Sequence, residues 1–219
     1  MPVLSRREIE QRLAKRIGDD DSLVITPFLQ KNDSFDVDSV DLRLGTHFLM
    51  PQLPPEPFLD PTVEKVIKTP YLRIHVPLGR YLVLPAHQTV LGATLEFIKL
   101  PFDIAGEILT KSSVARTFMV IETAPWIHPE YRGCLTLEIA NVSNTPILLY
   151  PGLPIAQLVL LSTSSSKPRK TLSGTYLGPV YPEAPNLKRP RQVLSAMGID
   201  KYRHPSGDWR RTADDSKFD

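Results

Sequence analysis

The sequence predicts a mainly β protein, a sandwich or barrel of short strands preceded by one short N-terminal helix. Three observations carry that expectation. Prolines number 22 in 219 residues. Each removes a backbone donor and fixes φ, so a proline-dense chain is cut into short strands and turns. From residue 39 onward, short apolar runs recur, several alternating at the two-residue period of a half-buried strand. Polar turn clusters separate these runs.

The elements follow in order. Ser5-Arg6-Arg7-Glu8 has the form of a capping box, and Ile9, Leu13 and Ile17 then fall at helical spacing. One amphipathic helix is therefore expected over residues 5–17. Leu23-Val24-Ile25-Thr26 reads as a strand ended by Pro27. Val40-Asp41-Leu42-Arg43-Leu44 alternates cleanly. Strands are also expected over residues 81–84, 90–98, 106–109, 134–140, 147–150 and 155–161. Ser143-Asn144-Thr145-Pro146 and Pro151-Gly152-Leu153-Pro154 are turns between them. The proline-rich stretch from Pro51 to Pro61 reads as an excursion from the core, and Ser162 to Lys170 as a polar linker. From Pro182 to Asp219 no period is sustained, apart from a short helix near Gln192 to Met197. That tail is expected to be mobile or to wrap a neighbouring surface. No internal repeat is present.

Composition excludes several classes. A net charge of +2 provides no broad basic field, so a nucleic-acid groove is not implied. The single cysteine, Cys134, excludes an intrachain disulfide and any multi-cysteine zinc site. It is expected to be a small buried hydrophobe within a strand. The N-terminal residues lack a secretory apolar run, and no stretch approaches the length of a membrane span. The expectation is a soluble, cytoplasmic protein with no membrane partner.

The chemistry concentrates in Lys111-Ser112-Ser113-Val114-Ala115-Arg116, in residues 123–133, and in Thr136-Leu137-Glu138. Two cations, two hydroxyls and one acid lie among residues that read as strands. A cation and hydroxyl cluster suits a phosphate, and a lone carboxylate in apolar surroundings suits proton transfer. Together they point to chemistry on a nucleotide. Each residue also has a plain structural reading. Glu138 fits a solvent-facing strand glutamate, and the serine pair fits turn chemistry. Arg116 fits a surface or interface ion pair, Gln157 the outer face of a strand, and Tyr131 an ordinary aromatic core contact.

At these residues the chain resembles the dCTP deaminase branch of the trimeric dUTPase superfamily, from about Leu4 to Pro179. Ser39-Val40-Asp41-Leu42-Arg43-Leu44-Gly45 resembles the family's N-terminal strand signature, and Leu91-Gly92-Ala93-Thr94-Leu95-Glu96 the strand ahead of the active site. The segment from Lys111 to Arg116 resembles its Arg-Ser-Ser-Leu-Ala-Arg motif. Tyr150-Pro151-Gly152 with Ile155-Ala156-Gln157-Leu158 resembles a later Pro-Gly and Ile-Gly-Gln-Leu motif.

The resemblance implies a distorted β-barrel or jelly-roll of the dUTPase-like type. Residues 1–180 would form the nucleotide-binding domain and 181–219 a C-terminal extension. It implies a homotrimer with nucleotide sites at subunit interfaces, Mg2+ on the triphosphate, and no zinc. Glu138 would be the general acid and base, with burial raising its pKa. Ser112 and Arg116 would orient the water and the base edge. Lys111, Ser113 and Gln157 would meet phosphate, and Tyr131 would lie under the deoxyribose. Backbone groups at Thr123 and Ala124 would read the pyrimidine. Trp126, His128 and Tyr176 complete the implied substrate-binding set.

Several positions depart from the family pattern. Lys111 replaces an arginine and loses its bidentate fork. His128 replaces the aspartate that accepts the sugar 3′-hydroxyl, and Pro125 replaces a common glycine. Residues 117–122 are one residue shorter than usual, with Glu122 near the place of a histidine. The segment that closes over the triphosphate survives only as Gly174-Thr175-Tyr176-Leu177-Gly178-Pro179, without its lysine and glutamine. The implied reaction is hydrolysis of dCTP to dUTP and ammonia. One alternative is a bifunctional deaminase and diphosphatase, or a plain dUTP diphosphatase; His128 weighs against both. Another is a trimeric nucleotide-binding or interaction protein without catalysis.

Overall fold

The computed structural model describes residues 1–28, 38–52, 71–164 and 178–185. Met1–Pro51 with Tyr71–Ala184 form one compact unit, which holds every contact given below. The second unit, Gln52–Pro70 with Pro185–Asp219, falls almost wholly outside the described residues. So do Tyr176, most of the Pro51–Pro61 excursion, most of the Ser162–Lys170 linker and the helix expected near Gln192.

The capping box forms. The Ser5 hydroxyl accepts from the Glu8 backbone N–H, and the Glu8 carboxylate accepts from the Ser5 N–H at 2.8 Å. The helix α1 is shorter than its apolar spacing implies, Arg6–Leu13 rather than residues 5–17. Ile9 is fully buried, whereas Ile17 is 73% exposed, so a further turn would bury nothing. The carbonyls of Ile17 and Asp19 instead accept from the Lys99 ammonium, which also donates to the Ser22 hydroxyl.

Twelve strands follow among the described residues: β1 (Val24–Thr26), β2 (Ser39–Arg43), β3 (His47–Pro51), β4 (Tyr71–His75), β5 (Leu82–Leu84), β6 (Thr89–Lys99), β7 (Ile104–Thr110), β8 (Met119–Ile121), β9 (Trp126–Ile127), β10 (Arg132–Asn141), β11 (Ile147–Leu149) and β12 (Pro154–Ser162). A four-residue helix, α2 (Ser112–Ala115), lies between β7 and β8.

All pairings are antiparallel. One sheet runs β4-β3-β6-β10-β8 with β1 also on β6; a second runs β2-β12-β7-β9; β5 and β11 form a two-stranded third. Alternation sends Leu135, Leu137 and Ile139 of β10 inward, where they meet Leu42, Leu158 and Leu160 of the four-stranded sheet in one core. Each such side chain contributes roughly 1.5–3 kcal/mol of transfer free energy. Cys134 is buried within β10, as its sequence context implies. The β10–β6 register shifts between Cys134 and Thr136. Thr94 closes this irregularity, accepting from the Leu135 N–H at 2.9 Å and donating to the Glu96 carbonyl at 2.7 Å.

Asn141 builds the turn read at 143–146. Its amide donates to the carbonyls of Leu84, Pro85 and Thr145, and its oxygen accepts from the Ser143 N–H and hydroxyl. Residues 178–183 lie along β10. Gly178 N–H donates to the Arg132 carbonyl and Cys134 N–H to the Pro179 carbonyl, both at 2.7 Å, and Glu183 N–H donates to the Thr136 hydroxyl at 3.2 Å. The Tyr181 ring stands edge-on to His47 at 4.6 Å, and His47 lies 4.7 Å from His75. Burial, then the neighbouring His75, lowers the His47 pKa.

Candidate active site

Two groups of candidate residues emerge on two sheets. The first is built around Lys111. Its backbone N–H donates to the Ile155 carbonyl at 3.1 Å, which ties the end of β7 to β12. Lys111 is the N-cap of α2, but its side chain does not cap that helix. The ammonium instead donates to Asp41 Oδ2 on β2. This qualifies the reading of Lys111 as a phosphate cation, because one of its donors is committed within the chain. Gln157 is in register with Asp41 on one side and Leu109 on the other. Val40, Leu42, Ile108 and Leu158 point to the core, so alternation turns Asp41, Gln157 and Leu109 outward. Trp126 pairs with Glu107, two positions from Leu109, and is 40% exposed on that same outer face.

Ser112, Ser113 and Arg116 are exposed on and just after α2. The chain turns sharply there. Thr117 hydroxyl donates to the Val114 carbonyl at 2.7 Å, and Phe118 takes a left-handed φ of 63° while largely exposed. That conformation is strained for a bulky residue.

The second group is built around Glu138. Glu122 N–H donates to the Glu138 carbonyl at 2.8 Å, and Glu138 N–H donates to the Thr123 hydroxyl at 3.0 Å. The Thr123 hydroxyl in turn donates to the Thr136 carbonyl at 3.4 Å. The segment after β8 is thereby held along β10, with Thr123 beside Glu138 and Ala124 exposed. Leu137 and Ile139 face the core, so the Glu138 carboxylate faces outward and is exposed. The expected burial of Glu138 is therefore not met within one chain; strand alternation around two buried neighbours excludes it.

The remaining candidates lie near the β9–β10 connection. His128 is exposed. The Tyr131 ring packs against the core and its hydroxyl donates to the Cys134 carbonyl at 2.9 Å. Burial drives that phenol's pKa well upward. Thr110, immediately before Lys111, is tied to the end of β8: the Ile121 N–H donates to its hydroxyl at 3.1 Å. Asp41, the partner of Lys111, is not among the candidates that the sequence singles out. Its signal was an acid on the polar side of an alternating strand, and its partner lies 70 residues away. Among the described residues no group of three His, Cys, Asp or Glu could hold a metal, and no helix is long and apolar enough to cross a membrane.

Comparisons with known proteins bear on this arrangement. A family model described as dCTP deaminase-like matches residues 3–163. The chain is 32% identical over 164 residues to a "dCTP deaminase, dUMP-forming" of Dictyoglomus thermophilum, covering 74% of this chain and 81% of the relative. It is 34% identical over 180 residues to a dCTP deaminase of Halorubrum lacusprofundi, covering 82% and 85%. A "dCTP deaminase, dUMP-forming" of Coprothermobacter proteolyticus is 37% identical over 169 residues, covering 76% and 88%. Among solved structures, the 2′-deoxycytidine 5′-triphosphate deaminase of Agrobacterium tumefaciens superposes with a TM-score of 0.54 at 23% identity. That match covers 72% of this chain and 47% of the other, and it shows a shared fold.

Proposed function

We propose a function from one premise: the chain belongs to the dCTP deaminase-like family, whose model spans residues 3–163. It hydrolyses dCTP to dUTP and ammonia. The observation that carries this reading is the family match, together with Glu138 held at the surface of β10 by the Thr123 clasp.

Glu138 serves as the acid and base. It takes a proton from water as the water oxygen adds to cytosine C4, and passes that proton to N3. It then moves the hydroxyl proton to the 4-amino nitrogen, the C4–N bond breaks, and ammonia leaves as C4 becomes a carbonyl. Ser112 and Arg116 orient the water and the base. Thr123 and Ala124 present backbone groups to the pyrimidine edge, and Trp126, His128 and Tyr131 line the nucleoside. Lys111, Ser113 and Gln157 meet the phosphates, with Tyr176 from the closing segment.

Magnesium enters as part of the triphosphate substrate, as the family resemblance implies. The protein works as a homotrimer. An exposed Glu138 acquires its low-dielectric surroundings when a neighbouring protomer covers it and the bound base.

Two of the three relatives named above carry the words "dUMP-forming" in their names, which favours a second reading, in which dUTP is cleaved further to dUMP and pyrophosphate. One experiment separates the two. Purified protein with magnesium is given dCTP, dCMP or dUTP, and ammonia and pyrophosphate are measured separately. Ammonia alone supports simple deamination; both products from dCTP support the coupled reaction. Glu138→Gln is expected to lower ammonia release at least about a hundredfold while dCTP still binds. Unchanged turnover in that variant would remove Glu138 from the mechanism.

A further inference from the structure

Asp41 and Lys111 meet on the outer face of the β2-β12-β7-β9 sheet with most of both side chains buried, 15% and 21% exposed respectively. Their geometry is one-sided. The ammonium donates to Asp41 Oδ2, while Asp41 Oδ1 is buried and has no hydrogen-bond partner. A salt bridge kept only for stability is poorly served by this arrangement. Desolvating two charges is unfavourable, and an acceptor shut from water without a donor adds to that penalty. What the contact does provide is orientation. An ammonium has three N–H donors; one goes to Asp41 and two remain. The Lys111 backbone is itself pinned by its N–H bond to Ile155, so the anchored stem can present those donors in few directions. Gln157 stands beside Asp41 in the ladder, and Ser112 and Ser113 follow directly in the chain.

We propose that Asp41 is a positioning residue that holds the Lys111 ammonium for the phosphate of the bound nucleotide. The inference rests on the deoxycytidine nucleotide reading above and adds the residue that makes its phosphate contact directional. It also explains the bare Oδ1: a lysine is a point cation and satisfies one carboxylate oxygen, whereas the planar fork of an arginine at position 111 reaches both and keeps N–H groups for phosphate.

The test is a mutant cycle read by binding and by kinetics. Binding of dCTP with magnesium, and of deoxycytidine, is measured by titration calorimetry in the parent, Asp41→Asn, Lys111→Met, the double variant and Lys111→Arg. Ammonia release is followed in the same proteins. Each single loss-of-contact variant is expected to weaken dCTP binding and raise KM about tenfold, with kcat within about twofold. Deoxycytidine, which lacks phosphate, keeps its affinity. The double variant is no worse than Lys111→Met, because Asp41 acts through Lys111. Lys111→Arg binds dCTP more tightly than the parent.

Losses that multiply in the double variant, equal losses for deoxycytidine, or an unchanged KM in Asp41→Asn would each overturn the proposal. Circular dichroism establishes folding. If Asp41→Asn fails to fold, Asp41→Glu, which displaces the ammonium, must raise KM or the idea falls. Tight dCTP binding without ammonia release would remove the deamination reading and leave the positioning role. Ammonia release with an unmoved KM would do the reverse, and a parent that binds no dCTP sinks both.

Discussion

Glu96 of β6 is only 1% exposed, yet it carries a carboxylate. Its oxygens accept from the Arg43 side-chain Nε–H at 2.8 Å and from the Arg43 backbone N–H at 2.9 Å, joining β2 to β6. Removing one partner leaves an uncompensated buried charge, so Glu96→Ala is expected to cost about 3–5 kcal/mol in urea unfolding. Burial raises the Glu96 pKa above its ordinary 4.5, and the Arg43 contacts pull the other way without reversing it. The folded chain therefore binds this proton more tightly than the unfolded one. The resulting stability is fully present below about pH 4.5 and fades as pH rises through the raised folded value. A pH series comparing the parent with Glu96→Gln should show the parent losing ground above that point. A difference flat with pH would contradict the raised carboxyl. Glu138, forty-two positions on by residue number (138 − 96), shows the contrast: the same residue type on an outward strand position, reachable by a substrate.

Gly133 shows how an element depends on one position. Its φ is 142°, and an added Cβ would lie 2.5 Å from Pro179 Cδ and 3.0 Å from the Pro179 nitrogen and oxygen. Gly133→Ala is therefore expected to cost about 1–3 kcal/mol and to push residues 178–183 off β10. Faster hydrogen exchange at the Cys134 amide, which donates to Pro179, is the specific readout; an unchanged rate would mean that the segment accommodates the methyl. At this scale the sequence was legible where burial alternates over many residues, as in β6, β10 and β12. It was not legible in β3, β4, β8 and β9. These owe their pairing to neighbours distant in sequence, and Met119–Ile121 is too short to show a period. The expected helix overran because spacing records where apolar residues lie and not which of them find a core, and Ile17 finds none. The serine pair looked like turn chemistry, while Val114 packing against the core folds it into α2. The candidate site was legible as an ordered set of motifs. Its Asp41–Lys111 contact was not, since no local pattern links residues 70 positions apart.

The two groups of candidate residues lie on separate sheets, which makes a claim about the assembled molecule. If each nucleotide site joins Glu138 of one protomer to Arg116 of another, two inactive variants should complement. Glu138→Gln and Arg116→Ala, unfolded together and refolded as a mixture, are expected to regain activity at about a quarter of the sites, because random assembly of the proposed homotrimer places both native residues at that fraction of interfaces. Each variant refolded alone should stay inactive. No recovery in mixed oligomers confirmed by native mass spectrometry would put both residues in one protomer's site.

The pairing of Gly178 and Pro179 with Arg132 and Cys134 has a consequence for where this molecule ends. The family match stops at residue 163, and a chain cut there would look complete by that measure. It would strip the Arg132 carbonyl and the Cys134 amide, at the start of a ten-residue strand, of their partners. Such a bare border is a template for sticking to another copy of itself. Residues 178–183 are thus expected to serve as a selvedge, and a chain cut at 163 should aggregate more readily, by light scattering, than the full one.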